Sequence, residues 1–139
     1  MMYVIGLCNP GLEYEKTRHN AGRILLEKIA KDFDFSDWKK DMKSNSLISH
    51  GILGEEDFVL VLPETFMNDS GFTVSKILNT EDSLSSLVVV YDDMDLPFGK
   101  IKISFNKSSG GHNGLSSIIK RTKSQSFVRI RIGVSFVGE

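Results

Sequence analysis

Three asparagines, two histidines and a pair of adjacent aspartates fall where apolar stretches of this chain give way to polar ones. Asn9 stands in Cys8-Asn9-Pro10-Gly11, just past an apolar run, and His19 in Thr17-Arg18-His19-Asn20-Ala21-Gly22, where an amphipathic stretch begins. Asn68 opens another helical stretch, Asp92 and Asp93 follow Leu87 to Tyr91, and His112-Asn113 follow Gly110-Gly111. A histidine can take a proton from water near neutral pH. An aspartate can hold such a ring in place and stabilise its charged form. Asparagine amides can donate to a developing oxyanion. The set His19, Asp93, Asn9, Asn68 and Asn113 therefore suits hydrolysis of an ester or amide by activated water. Each member also has a plainer role: Asn9 as a turn residue, and Asn68, Asn113 and His19 as helix caps, an asparagine cap being worth about 1 kcal/mol. Other chemistries are less well served. No Gly-x-Ser-x-Gly elbow appears. Cys8 has no neighbour that would activate a thiolate. Asp92, Asp93 and Asp95 lack a histidine or cysteine at ligand spacing, so no metal site is expected.

These residues need elements to position them. Residues 2 to 7 read as an apolar strand. Residues 20 to 33 carry Ala21, Ile24, Leu25, Ile29 and Phe33 at helical spacing. A loop is expected over 34 to 45, then strands over 46 to 53 and 57 to 62 around a turn at Gly54-Glu55-Glu56. Residues 68 to 79 read as a helix, and 87 to 91 as a buried central strand. A strand over 100 to 105, a helix over 113 to 121 and a last strand over 127 to 134 follow. The pattern predicts an α/β fold: a single domain with a mixed twisted β-sheet flanked by helices. In such sheets ligands bind beyond the carboxyl ends of strands, where these polar residues fall.

Composition narrows the function classes. The 139 residues are 40% hydrophobic and 25% charged, ordinary for a soluble domain. No apolar run approaches the roughly 18 residues of a membrane span. The first residues read as a strand and not a signal peptide, and one cysteine permits no internal disulfide. A cytoplasmic protein is expected, so Asn68-Asp69-Ser70 is a chance glycosylation match. The net charge of −1 hides an asymmetry: residues 100 to 139 sum to +7 and the first 99 to −8. Such a split fits a polyanionic partner met by one part of the surface.

Five blocks, in order, carry a family resemblance. They are Gly6-Leu7-Cys8-Asn9-Pro10-Gly11 with Tyr14 and Thr17 to Gly22; Pro63 to Gly71; Asp92 to Gly99; Gly110 to Leu115; and Arg129-Ile130-Arg131-Ile132-Gly133. Together they resemble the bacterial peptidyl-tRNA hydrolase family. The resemblance implies that family's three-layer sandwich, and hydrolysis of the ester between a peptide and the terminal ribose of tRNA, which recycles tRNA from aborted translation. It implies no metal and no cofactor. By motif, His19 would activate water and Asp93 would orient His19. Asn9 and Asn68 would position the substrate terminus and the water, and Asn113 the peptide backbone. Tyr14, Phe66, Met67 and His112 would line the cleft. Arg131, with Arg129 nearby, would hold tRNA phosphates.

The resemblance is not complete. Cys8 and Phe66 stand where the family usually has glycine and tyrosine, and Leu62-Pro63 where it usually has lysine-proline. Asn106-Lys107-Ser108-Ser109 replaces a glycine-rich loop. Ser104 stands where a tRNA-gripping lysine is usual, so Lys102 or Lys107 would substitute. Relatives continue past the last motif into a lid segment and a terminal helix. Residues 1–139 are therefore expected to be one domain without that extension. An uncovered apolar sheet surface is expected too, so the expected monomer is prone to association. The alternative reading is a catalytically weak or inactive RNA-binding module of the same fold.

Overall fold

The computed structural model describes residues 1–8, 20–78 and 81–135. Asn9, Tyr14 and His19 lie outside the described residues. Along the chain come β1 (Met2–Gly6), α1 (Ala21–Asp32), β2 (Lys39–Asp41), β3 (Ser46–Leu53), β4 (Glu56–Pro63), α2 (Ser70–Ile77), β5 (Leu87–Pro97), β6 (Ile101–Phe105), α3 (Asn113–Thr122) and β7 (Val128–Ser135). The seven strands form one sheet in the order β2-β3-β4-β1-β5-β7-β6. The middle four are mutually parallel. β2 and β3 on one side, and β6 on the other, run antiparallel to their neighbours.

The parallel centre follows from sequence. Val4-Ile5, Val59 to Leu62 and Leu87 to Tyr91 are continuous apolar runs, as strands covered on both faces require. Their registers keep odd-numbered residues on one face and even-numbered ones on the other. On the odd face Ile5, Val61, Leu87, Val89 and Tyr91 pack with Val74 and Leu78, at the end of α2, and with Leu115 and Ile118 of α3. On the even face Val4, Leu60, Leu62 and Val90 pack with Leu26 and Ala30 of α1 and with Phe35, and half-buried Trp38 rests against this cluster beside β2. Helices thus cover the sheet from both sides, giving the three-layer α/β sandwich.

Several elements depart from the sequence expectation. The loop over 34 to 45 contains the short strand β2, whose polar Lys39-Lys40-Asp41 carries no apolar signal yet pairs with Ser46 to Ile48. The helix over 68 to 79 begins with a turn of 3-10 helix at Met67–Asp69. The strand expected to end at Tyr91 runs on to Pro97, because Asp92 and Asp93 continue the backbone ladder against Ile132 and Gly133. The buried stripe of α1 is Gly22, Leu26 and Ala30; Ile24 and Phe33 are 45% and 57% exposed. Gly22 sets that rotation. A Cβ there would lie 2.6 Å from the Val90 carbonyl oxygen, so the bare glycine lets the first turn of α1 press onto the end of β1 and onto β5 at Val90. On the opposite side of the sheet from β2, the edge strand β6 turns Ile101, Ile103 and Phe105 to solvent. Among the described residues no helix is long and apolar enough to cross a membrane.

Candidate active site

The carboxyl ends of β1, β4 and β5 meet the start of α3 at one corner. Past β1, the Cys8 thiol donates to the Pro63 carbonyl at the end of β4, at 3.5 Å. Past β4, Ser70 Oγ donates to the Met67 carbonyl at 2.8 Å and closes the turn that carries Asn68. A Cβ on Gly114 would sit 2.6 Å from Met67 Sδ, 3.0 Å from Leu7 Cδ1 and 3.3 Å from His112 Cε1. The first turn of α3 is therefore wedged against both connections. Asn113 opens that turn and Asn68 lies on the neighbouring one, both exposed. Phe66 projects beside them, 64% exposed, and Met67 is half-buried.

The adjacent aspartates of β5 part company. Asp92 is buried, and its Oδ1 lies 3.4 Å from His112 Nε2. His112 caps α3: its Nδ1 accepts from the Leu115 backbone N–H at 3.3 Å, and its ring stands edge-on to Tyr91 with centroids 4.7 Å apart. Asp93 lies on the other face. Its Oδ2 accepts from Arg131 Nη1 at 3.1 Å, and its Oδ1 from the Asp95 backbone N–H at 2.8 Å. Asp92 shares the face of Val88 and Val90, against which α1 packs. Asn20, buried where α1 begins, directly follows His19 in sequence. Counting alternation along β5 from Val90 is the sequence signal that separates the two aspartates. The carboxylates of Asp92, Asp93 and Asp95 do not converge on a common point, and no metal-binding cluster of His, Cys, Asp or Glu occurs among the described residues.

Cys8 is fully buried, and burial pushes its thiol up to about 11, opposed by Arg23 and reinforced by Glu27 and Glu64. A thiol so held is no nucleophile at neutral pH.

The basic residues divide as well. Arg129, expected among the phosphate contacts, is fully buried. It donates to the Ser108 carbonyl at 3.2 Å and the Gln125 carbonyl at 2.8 Å, with its guanidinium 4.4 Å from the Phe127 ring centroid. Burial lowers its proton affinity, partly offset by the neighbouring Tyr91. A side chain enclosed this way holds two loops together. Both arginines border an open cavity of about 410 Å³ that Asp92, Asp93, His112 and Lys107 also line, and Arg131, with a fifth of its side chain exposed, is the one that reaches the surface. Lys102 is exposed on β6, paired in register with Arg131.

The profile of the peptidyl-tRNA hydrolase family matches residues 3–138. A peptidyl-tRNA hydrolase of Listeria monocytogenes is 44% identical over 136 residues, covering 97% of this chain and 72% of that protein. One of Pediococcus pentosaceus is 43% identical over 135 residues, covering 96% and 72%. The crystal structure of peptidyl-tRNA hydrolase from Acinetobacter baumannii superposes on the whole chain with a TM-score of 0.90 at 33% identity, covering 70% of that structure. The parallel core, the polar corner at its carboxyl edge and these matches agree: the chain belongs to the peptidyl-tRNA hydrolase family.

Proposed function

We propose that this protein cleaves peptidyl-tRNA with a water molecule activated by His19 and with Asp92, rather than Asp93, as the carboxylate partner of that histidine. Family membership makes it an ester hydrolase acting on peptidyl-tRNA, and the alternative of an inactive RNA-binding module is not favoured. His19 removes a proton from water as the oxygen attacks the ester carbonyl. The tetrahedral oxyanion is met by amide donors from the Asn9, Asn68 and Asn113 set. The intermediate collapses by breaking the bond to the ribose oxygen, which takes the proton from His19. Peptide carboxylate and tRNA leave. Tyr14, Phe66 and Met67 line the peptide path, while Arg131, Lys102 and Lys107 meet tRNA phosphates. The protein acts as a cytoplasmic monomer.

The observation that carries this reading is the position of Asp92. It is buried on β5 just beyond the level at which β1 ends, on the face against which the first turn of α1 packs. Asp93 already accepts from Arg131 and from the Asp95 amide. The test is hydrolysis of N-acetylaminoacyl-tRNA beside free aminoacyl-tRNA. Cleavage of the acetylated ester alone, lost in His19→Ala, is expected. Turnover of His19→Ala within about tenfold of wild type contradicts the general-base role.

A further inference from the structure

We infer that His112 is a positioning residue for the hydrolysis: it caps α3 with one ring nitrogen and steers the Asp92 carboxylate with the other. The inference rests on the hydrolase reading above. A backbone N–H can only donate, so the Leu115 amide, 3.3 Å from Nδ1, fixes that nitrogen as an acceptor. The ring proton then sits on Nε2, which faces Asp92 Oδ1 at 3.4 Å. A carboxylate can only accept, so both contacts demand the same tautomer. The ring has little freedom to choose another pose. Its backbone carbonyl accepts from Ser116 N at 2.9 Å, its own N–H donates to the Ser109 carbonyl at 3.1 Å, and Tyr91 packs edge-on beside the ring. His112 thereby ties the start of α3, where Asn113 lies, to the carboxylate of β5. The group that orients His19 and the amide that meets the peptide are held by one side chain.

The two duties can be separated by substitution. Asparagine is a strong helix cap, but its short amide ends where Nδ1 does and cannot replace Nε2. Glutamine reaches further and can donate to Asp92, but caps poorly. With N-acetylaminoacyl-tRNA as substrate, His112→Asn is expected to melt within about 2 °C of wild type. Its KM should stay within about twofold while kcat falls about 10- to 100-fold. His112→Gln should melt lower and recover most of that kcat. If kcat instead follows melting temperature across Asn, Gln and Ala variants, the ring is only a cap and the inference fails. A raised KM at unchanged kcat also overturns it, since that marks a direct substrate contact. Nitrogen NMR shifts of the His112 ring provide a readout independent of turnover. An unprotonated Nδ1 with a protonated Nε2 supports the inference, and the opposite tautomer overturns it. A wild-type chain without turnover would sink the hydrolase reading, and the tautomer would still report on the ring.

Discussion

Asp92 and Asp93 are consecutive residues of one strand whose carboxylates take different partners: Asp92 meets His112 Nε2 at 3.4 Å and Asp93 meets Arg131 Nη1 at 3.1 Å. The pleat, and not any difference in chemistry, separates them. Both carboxylates line the open cavity, one against the cap of α3 and the other balancing the Arg131 cation.

That separation predicts unequal mutants. Asp92→Asn should lower kcat for N-acetylaminoacyl-tRNA by about 10²- to 10⁴-fold with little change in melting temperature. Asp93→Asn should retain kcat within about threefold and instead lose about 1–3 kcal/mol of stability with the Arg131 pair. The reverse ranking in single-turnover assays would restore Asp93 as the orienting carboxylate.

Arg129 and Arg131 should differ in the same way. Arg131→Met should reduce the slope of log affinity for tRNA against log salt by about one. Arg129→Met should leave the slope unchanged and lower stability by about 1–3 kcal/mol, because the Ser108 and Gln125 carbonyls lose their donor. Filter binding across salt concentrations with parallel thermal melts distinguishes them.

Gly22→Ala tests the close seating of α1. The new methyl meets a backbone oxygen that cannot swing away. A loss of about 1–3 kcal/mol is expected, with turnover reduced as well, since the helix that follows His19 must lift. Unchanged stability in urea melts would show that the contact has slack.

Cys8 imposes an alkaline limit. The unfolded thiol ionises near 9, and the folded one only near 11. Between these values the unfolded chain releases a proton that the fold retains. The stability present below pH 9 therefore declines toward pH 11, by about 2–3 kcal/mol. Cys8→Ala should flatten that decline in denaturant titrations from pH 8 to 11, and an identical slope in both proteins would rule the thiol out.

Much of this architecture was legible in the chain. The apolar runs ending near Leu7, Leu62 and Tyr91 were readable as strands, the last as a buried central one, and the polar residues just beyond them as a candidate site, while the parallel pairing of β4, β1, β5 and β7 appears only in the registers. What escaped had specific causes. β2 is formed by pairing with β3 and not by burial, so Lys39 to Asp41 resemble a loop. The seam of α1 runs through a glycine, which adds nothing to a hydrophobic stripe. Choosing between Asp92 and Asp93 needs the strand to continue past Tyr91, and two charged residues conceal that continuation. Arg129 alternates with Ile130 like a solvent-facing residue, but the Ser108 and Gln125 loops fold over it.

Trp38 is the only tryptophan, and it rests against the α1 layer beside β2, the strand at one edge of the sheet. β5 and β7, which carry Asp92 and Arg131, lie toward the other edge. Intrinsic emission of this protein therefore reports first on that margin of the molecule. Fluorescence will record the loosening of β2 and α1, and an optical titration of tRNA is better served by a reporter beside Asn68, with exposed Phe66→Trp the natural position.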